Sequence, residues 1–233
     1  MLNDQTNEVF PEVFSRDGAS HLSRRKFFGI MGGTAAVIAT ASACRKNNGM
    51  HNSGINLGSG DTGVLNYAYA LEQLEAAFYT QVIKTPYKNM SATEMAYLKD
   101  VRDHEIAHRE FFKAALSSAA IPALEVDFKK INFNSRDSVL GTAKAFEDLG
   151  VSAYNGAGKL LVSADYLTIA GKIVSVEARH AALIRDLIQP GSFADMTVVD
   201  AMGLDVVRTP DEVLTIASFF LKSKLNASNL PTS

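Results

Sequence analysis

The chain has 233 residues, 47% of them hydrophobic, and a formal charge of −2. This length is enough for one well-packed domain with an extension, and a second large domain is not expected. Because phosphate binding needs a clustered basic surface, the near-neutral charge argues against a nucleic-acid partner. The single cysteine, Cys44, excludes an internal disulfide, so packing or metal must stabilise the fold.

The N-terminal part of the chain is similar to a twin-arginine signal peptide. Arg24 and Arg25 form the arginine pair, and an apolar stretch rich in Gly and Ala follows them as far as Ala43. A transmembrane anchor is the alternative, but the stretch is short and weakly hydrophobic for a helix of roughly 20 apolar residues. We therefore expect residues 1–43 to be a signal that the twin-arginine machinery uses to export the protein to the periplasm.

Cys44 lies at the expected cleavage point, directly after Ala41-Ser42-Ala43. Cleavage between small residues and cleavage of a lipoprotein signal would both occur before this cysteine. A lipid on Cys44 would then be the only membrane contact, although Ala41 stands where lipoprotein signals usually carry Leu. Residues 44–63 are rich in Gly, Asn and Ser and have no apolar period, which predicts a flexible tether.

Five helical segments are predicted after the tether, at about 64–83, 91–118, 135–162, 166–188 and 209–225. The second and the fifth begin with capping boxes, Ser91…Glu94 and Thr209…Glu212. Short connections make two antiparallel hairpins, and the connection over 119–135 can run the ~30 Å length of a 20-residue helix. We therefore predict an all-α four-helix bundle over 64–225, with one long crossover, a fifth C-terminal helix and a tail at 226–233.

A pattern of acids and histidines occurs twice in the four long segments. The first and third segments each carry a Glu with a Tyr seven residues later, and the second and fourth each carry Glu-x-x-His. One Glu-x-x-His alone is a weak signal. The two copies in the same order indicate one helical hairpin used twice; its acids and histidines are Glu72, Glu105, His108, Glu147, Glu177 and His180.

These six residues fall on the apolar faces of their helices, because neighbours three and four positions away are hydrophobic. A buried carboxylate costs several kcal/mol unless it is paired or coordinates a cation. No Lys or Arg occupies these faces, and two divalent cations would balance four carboxylates. Carboxylate and imidazole ligands suit iron or manganese, and the lack of thiolates argues against structural zinc. Exposed Glu–His pairs on an ordinary bundle are the alternative.

Four further residues near this pattern have open interpretations. Glu75 shares the face of Glu72 and is a neighbour or an alternate ligand, but its counterpart in the repeat is Gly150. Tyr79 and Tyr154 either fill the core or donate hydrogen bonds to ligand carboxylates. His104 precedes Glu105 and is expected to face another direction, as a solvated or structural residue.

The chain resembles the ferritin-like superfamily, and within it the group that includes the desiccation-related proteins. The resemblance covers about residues 60–225 and depends on the stretch 66–79, on Glu105…His108, on Glu147 and on the stretch 177–183. It implies a di-metal centre whose ligands are the six residues of the repeated pattern.

Two functions are compatible with this resemblance. The first is a di-metal oxidoreductase, ferroxidase-like or catalase-like, that acts on dioxygen, peroxide or ferrous iron. The second is a non-catalytic stress protein in which the metal is structural or is buffered. Twin-arginine export carries folded proteins, which suits a protein that takes up its metal in the cytoplasm. The sequence leaves the oligomeric state open.

Overall fold

The structure, a computed structural model, describes residues 54–232. The predicted signal, Cys44 and the beginning of the predicted tether lie outside these residues. Within the described part, no helix has the length and apolar character that a membrane span needs. The elements in chain order are β1 (Ile55–Asn56), α1 (Gly60–Lys84), α2 (Ala92–Leu116), α3 (Arg136–Ala157), α4 (Ala164–Ile188), α5 (Pro210–Ala217) and β2 (Leu225–Asn226).

The four long helices form two hairpins that face each other. α1 packs on α2, α3 packs on α4, and α1 also packs against α3. α1 and α3 run antiparallel, because Tyr79 on α1 contacts Glu147 while Tyr154 on α3 contacts Glu72. It follows that α2 and α3 are parallel, so the chain must return the full length of the bundle between them. The predicted four-helix bundle is confirmed.

The returning connection follows α1. The backbone N–H of Ile121 donates to Asn66 Oδ1 (2.9 Å), and that of Leu124 donates to Gln73 Oε1 (2.8 Å). Further along, the ring of Phe128 lies 6.0 Å from that of Phe78, near the end of α1. The buried amides on α1 therefore satisfy backbone groups of the crossover, which would otherwise be costly to bury.

Both predicted capping boxes are present. Ser91 Oγ accepts from the N–H of Glu94 (3.1 Å), whose carboxylate accepts from the N–H of Ser91 (3.3 Å). Thr209 and Glu212 form the same arrangement at the start of α5. α5 ends at Ala217, earlier than predicted, and the following backbone pairs with the crossover: the N–H of Asp127 donates to the carbonyl of Phe220 (2.7 Å).

Residues 55–63, predicted as the end of the tether, belong to the fold. Ile55–Asn56 pairs in parallel with Leu225–Asn226, Leu57 is completely buried, and α1 begins at Gly60. The predicted boundary at residue 63 is therefore too late, and the predicted tail contributes a strand residue. A strand of two residues has no apolar period, so the sequence pattern could not reveal it.

The connection between α4 and α5 packs along α3. The N–H of Arg208 donates to the carbonyl of Ser152 (3.1 Å), and its guanidinium donates to the hydroxyl of the same serine (2.7 Å). At the crossing point α3 carries Gly156, where a Cβ atom would lie 1.8 Å from the carbonyl oxygen of Arg208. A residue without a side chain is required for this close approach.

Candidate metal centre

All six residues of the repeated pattern lie inside the bundle. The four glutamates are each 0% exposed, and His180 is 4% exposed. The His108 side chain keeps 12% of its surface. Each lone Glu comes from α1 or α3, and each Glu-x-x-His pair comes from α2 or α4, where the i, i+3 spacing places Glu and His on one face.

The ligand atoms form two groups, one around each histidine. His108 Nδ1 lies 2.8 Å from Glu177 Oε1, 3.4 Å from Glu72 Oε2 and 3.7 Å from Glu105 Oε2. His180 Nδ1 lies 2.8 Å from Glu105 Oε1, 3.5 Å from Glu147 Oε2 and 3.9 Å from Glu177 Oε2. Glu105 thus gives one oxygen to each group, and so does Glu177. Glu72 belongs only to the group around His108, and Glu147 only to the group around His180.

All of these atoms are buried, and none makes a hydrogen bond of good geometry, although the closest nitrogen–oxygen pairs are 2.8 Å apart. Eight such atoms are present, three oxygens and one nitrogen in each group. Each buried polar atom without a partner costs about 1–3 kcal/mol. In each group the four atoms lie within 4.8 Å of one another. Each group could hold a metal ion through three carboxylate oxygens and one imidazole nitrogen.

The two tyrosines orient the carboxylates that serve one group only. The Tyr154 hydroxyl donates to Glu72 Oε1, and the Tyr79 hydroxyl donates to Glu147 Oε1. Each bond crosses from one hairpin to the other, so the pattern repeats about a pseudo-two-fold axis. Of the two interpretations that the sequence left open for these tyrosines, hydrogen bonding to a predicted ligand is the one observed.

Glu75 is buried beside the centre but belongs to neither group. A Cβ atom on Gly150 would lie 3.0 Å from Glu75 Oε1 and 3.6 Å from Glu177 Oε2. The Glu75 carboxylate therefore occupies the space that the missing side chain at position 150 leaves free. This geometry agrees with Glu72 as the symmetric partner of Glu147 and makes Glu75 a neighbour.

The family model of the ferritin-like domain matches residues 60–190 of this sequence. The chain belongs to the ferritin-like domain family. The matched region contains α1 to α4 and hence all six predicted ligands. A search of curated proteins gives no match.

Most of the buried carboxylates of this ferritin-like domain have a raised pKa, and Glu105 is the exception. Burial, together with the charges of neighbouring carboxylates, raises the pKa of Glu75 and Glu177 well above the ordinary value. Burial also raises the pKa of Glu72, to about 7. For Glu105 burial acts in the same direction, but contacts with the two imidazoles outweigh it and lower the pKa to about 2.

The imidazoles of the ferritin-like domain are held in their charged form by these acids. Burial lowers the pKa of both histidines, but the surrounding carboxylates outweigh it and raise the pKa of His108 to about 12 and that of His180 to about 11. Protons thus balance the buried negative charge when no cation does. Because only a neutral imidazole can bind a metal, loading must release these protons.

A buried arginine on α4 has other partners than the glutamates of the centre. Arg185 on α4 is 3% exposed. Its guanidinium donates to both oxygens of Asp148, at 2.8 and 2.7 Å, and also contacts Asp195. Its charge is therefore balanced by these aspartates, which leaves the glutamate cluster to its histidines and to metal.

His104 lies closer to the site than its sequence position suggested. Although this residue is largely exposed, its Nδ1 lies 2.9 Å from Nε2 of His180. The expectation that it faces elsewhere is therefore wrong. The i, i+4 spacing from His104 to His108 was the available signal, because residues four apart share a helix face.

Proposed function

We propose that this protein is an exported oxidoreductase whose centre holds two iron or manganese ions and acts on dioxygen or peroxide, or oxidises ferrous iron. The observation that carries the proposal is the set of eight buried ligand atoms without a hydrogen-bond partner. Oxygen and imidazole ligands without thiolates support iron or manganese over structural zinc.

In this proposal each side chain has a defined task. Glu105 and Glu177 would each offer one oxygen to both positions, while Glu72 and Glu147 would each serve one position. Tyr154 and Tyr79 keep the two latter carboxylates oriented. The bound ions would supply electrons and open coordination positions for the oxidant. The burial of all four glutamates excludes bulk water, which strengthens every charge interaction within the centre.

An apolar cavity beside the centre supports a small uncharged oxidant. Tyr154, which donates to Glu72, is part of the cavity wall. The rest of the wall is apolar almost throughout and includes Ala68, Leu71, Phe112 and Ile169. Such a lining favours a molecule like dioxygen over a charged one, because a charge would lose its hydration without a partner.

Export is the part of the proposal that depends on the sequence alone. The arginine pair Arg24–Arg25 and the apolar stretch after it support twin-arginine export to the periplasm, with a lipid on Cys44 as the membrane anchor. Mass analysis of the mature N-terminus tests both steps. A chain that begins at an unmodified Cys44 would end the lipoprotein interpretation while supporting the signal peptide.

A second candidate is a stress or desiccation-related protein in which the metal is structural or is buffered. The complete burial of the four glutamates supports it, because a structural site needs no route for a substrate. The two candidates differ in turnover and share metal binding.

The experiment that tests the proposal measures metal content and oxidant consumption in the full-length protein. After loading with Fe²⁺ or Mn²⁺, we expect two ions per chain and consumption of dioxygen or peroxide. Glu105→Ala should lose both ions, since Glu105 serves both groups, whereas Glu110→Ala on the exposed face of α2 is the matched control. Fewer than one ion per wild-type chain would refute the di-metal centre, and two ions without turnover would favour the second candidate.

A further inference from the structure

The contact between His104 and His180 has the geometry of a single well-aligned hydrogen bond. The ring planes differ by 7°, the ring centroids are 5.2 Å apart, and His104 Nδ1 lies 2.9 Å from His180 Nε2. Two nitrogens this close cannot belong to rings stacked face to face with centroids so far apart. The rings therefore meet edge to edge, in nearly one plane, where N–H and lone pair point at each other.

Metal binding at Nδ1 of His180 determines which nitrogen of each ring carries the proton of this hydrogen bond. His180 Nδ1 faces Glu105 and Glu147, so a cation in that group would take the lone pair of Nδ1. A neutral imidazole then carries its proton on Nε2, the nitrogen that faces His104. For the bond to form, His104 must accept with Nδ1 and carry its own proton on Nε2.

Among residues 54–232, the repeat provides this arrangement for His180 and has no equivalent residue for His108. Glu105 corresponds to Glu177, so the counterpart of His104 in the second hairpin is Val176. A valine side chain cannot accept a hydrogen bond. The two cation positions, which the six ligands make alike, therefore differ in the support behind their histidines.

We propose that His104 is a positioning residue for the metal position that His180 serves, and that it makes this position the tighter of the two. Its Nδ1 accepts the Nε2 proton of His180 and holds Nδ1 of His180 toward Glu105 and Glu147. Hydrogen-bond partners behind a ligating histidine commonly contribute 10–100-fold in metal affinity. The inference rests on the metal assignment made above under the proposed function.

Calorimetric titration of the full-length protein with Mn²⁺ tests the proposal. Wild type should bind two ions, and His104→Leu should keep one at wild-type affinity and bind the other about 10–100-fold more weakly. In His104→Asn the amide oxygen can replace Nδ1 as acceptor, so affinity should recover to within a few-fold. Val176→Ala, at the equivalent position of the other hairpin, should leave both affinities unchanged.

Nuclear magnetic resonance of ¹⁵N-histidine-labelled, Zn²⁺-loaded protein gives a readout that a structural role would not change. We expect the imidazole proton of His180 to be on Nε2. It should exchange slowly with solvent in wild type and in His104→Asn, and rapidly in His104→Leu. Two ions bound by His104→Leu at wild-type affinity, or a His180 proton on Nδ1, would overturn the proposal. A wild-type protein that binds no metal would instead refute the proposed function.

Discussion

Replacing Glu147 with glutamine should increase the thermal stability of the metal-free protein and lower its affinity for metal. The carboxylate is 0% exposed, and its Oε2 has no hydrogen-bond partner, while Oε1 accepts from Tyr79. Glutamine keeps the shape and the acceptor for Tyr79 but removes one buried negative charge. Its new N–H groups point toward the acids around His180, which can accept from them.

The two effects have magnitudes that can be compared. Replacing a buried oxygen that has no hydrogen-bond partner with an N–H group that has one is worth about 1–3 kcal/mol. A domain of this size gains about 2–4 °C in melting temperature per kcal/mol, so the metal-free variant should melt about 2–12 °C above wild type. Bound metal stabilises by about 4.1 kcal/mol per position at 1,000 times Kd. Wild type should gain this amount twice, and Glu147→Gln once, because only the group around His180 depends on Glu147.

Differential scanning calorimetry with and without Mn²⁺, together with metal analysis, checks this prediction. We expect the order of melting temperatures to reverse between the metal-free and the loaded proteins. Glu110→Gln makes the same chemical change at an exposed, ion-paired position and should change neither quantity appreciably. A metal-free Glu147→Gln protein that melts below wild type, or one that still binds two ions tightly, would refute the argument.

Three further predictions concern other parts of the structure. Tyr154→Phe leaves Glu72 Oε1 without its donor and should weaken metal binding about 10–100-fold at the position served by His108 only. Tyr79→Phe should weaken metal binding at the position served by His180 instead. Calorimetry that finds the same position affected in both variants would contradict this prediction. Because the pKa of Glu72 rises from 4.5 to about 7 on folding, the metal-free native state binds more protons than the unfolded state between these pH values. The free energy of unfolding of the metal-free protein in urea should therefore fall as pH rises from 4.5 to 7. That of the metal-loaded protein should rise over the same range, because metal has displaced the protons of the native state. Parallel pH dependences of the two free energies would refute this prediction. Gly156→Ala should lower the free energy of unfolding by at least 2 kcal/mol, because its Cβ would meet the Arg208 carbonyl. Gly141→Ala, in open space on the same helix, should raise the free energy of unfolding by about 0.5–1 kcal/mol. Equal effects of the two substitutions on thermal unfolding would contradict the close approach.

The features that sequence predicted well are those that repeat or have strict local chemistry. Glu-x-x-His spacing fixes a shared helix face, and the hydrophobic neighbours on that face predicted the burial of Glu105 and Glu177. The capping boxes at Ser91 and Thr209 were equally visible, because a cap depends on residues three positions apart. The length of the 119–135 connection then decided the topology.

The features that sequence missed depend on contacts between distant segments. The pairing of Ile55–Asn56 with Leu225–Asn226 joins the two ends of the described chain and has no local signature. The contact of His104 with His180 joins two helices that are not consecutive, and it involves a residue at the margin of the buried face. Such contacts depend on how packed helices are oriented against each other, and helix crossing angles scatter by about 15–20° around their preferred values.

The crossed tyrosine–glutamate bonds and the bridging acids have a consequence for the ancestry of this fold. Two identical copies of one hairpin, associated about a true two-fold axis, would supply all six ligands and both tyrosine bonds. In such a homodimer every substitution appears twice, so position 75 would offer either two glutamates that collide across the axis or two glycines. Only the fused chain can place Glu75 against Gly150, and so give one face of a symmetric centre a carboxylate that the other lacks.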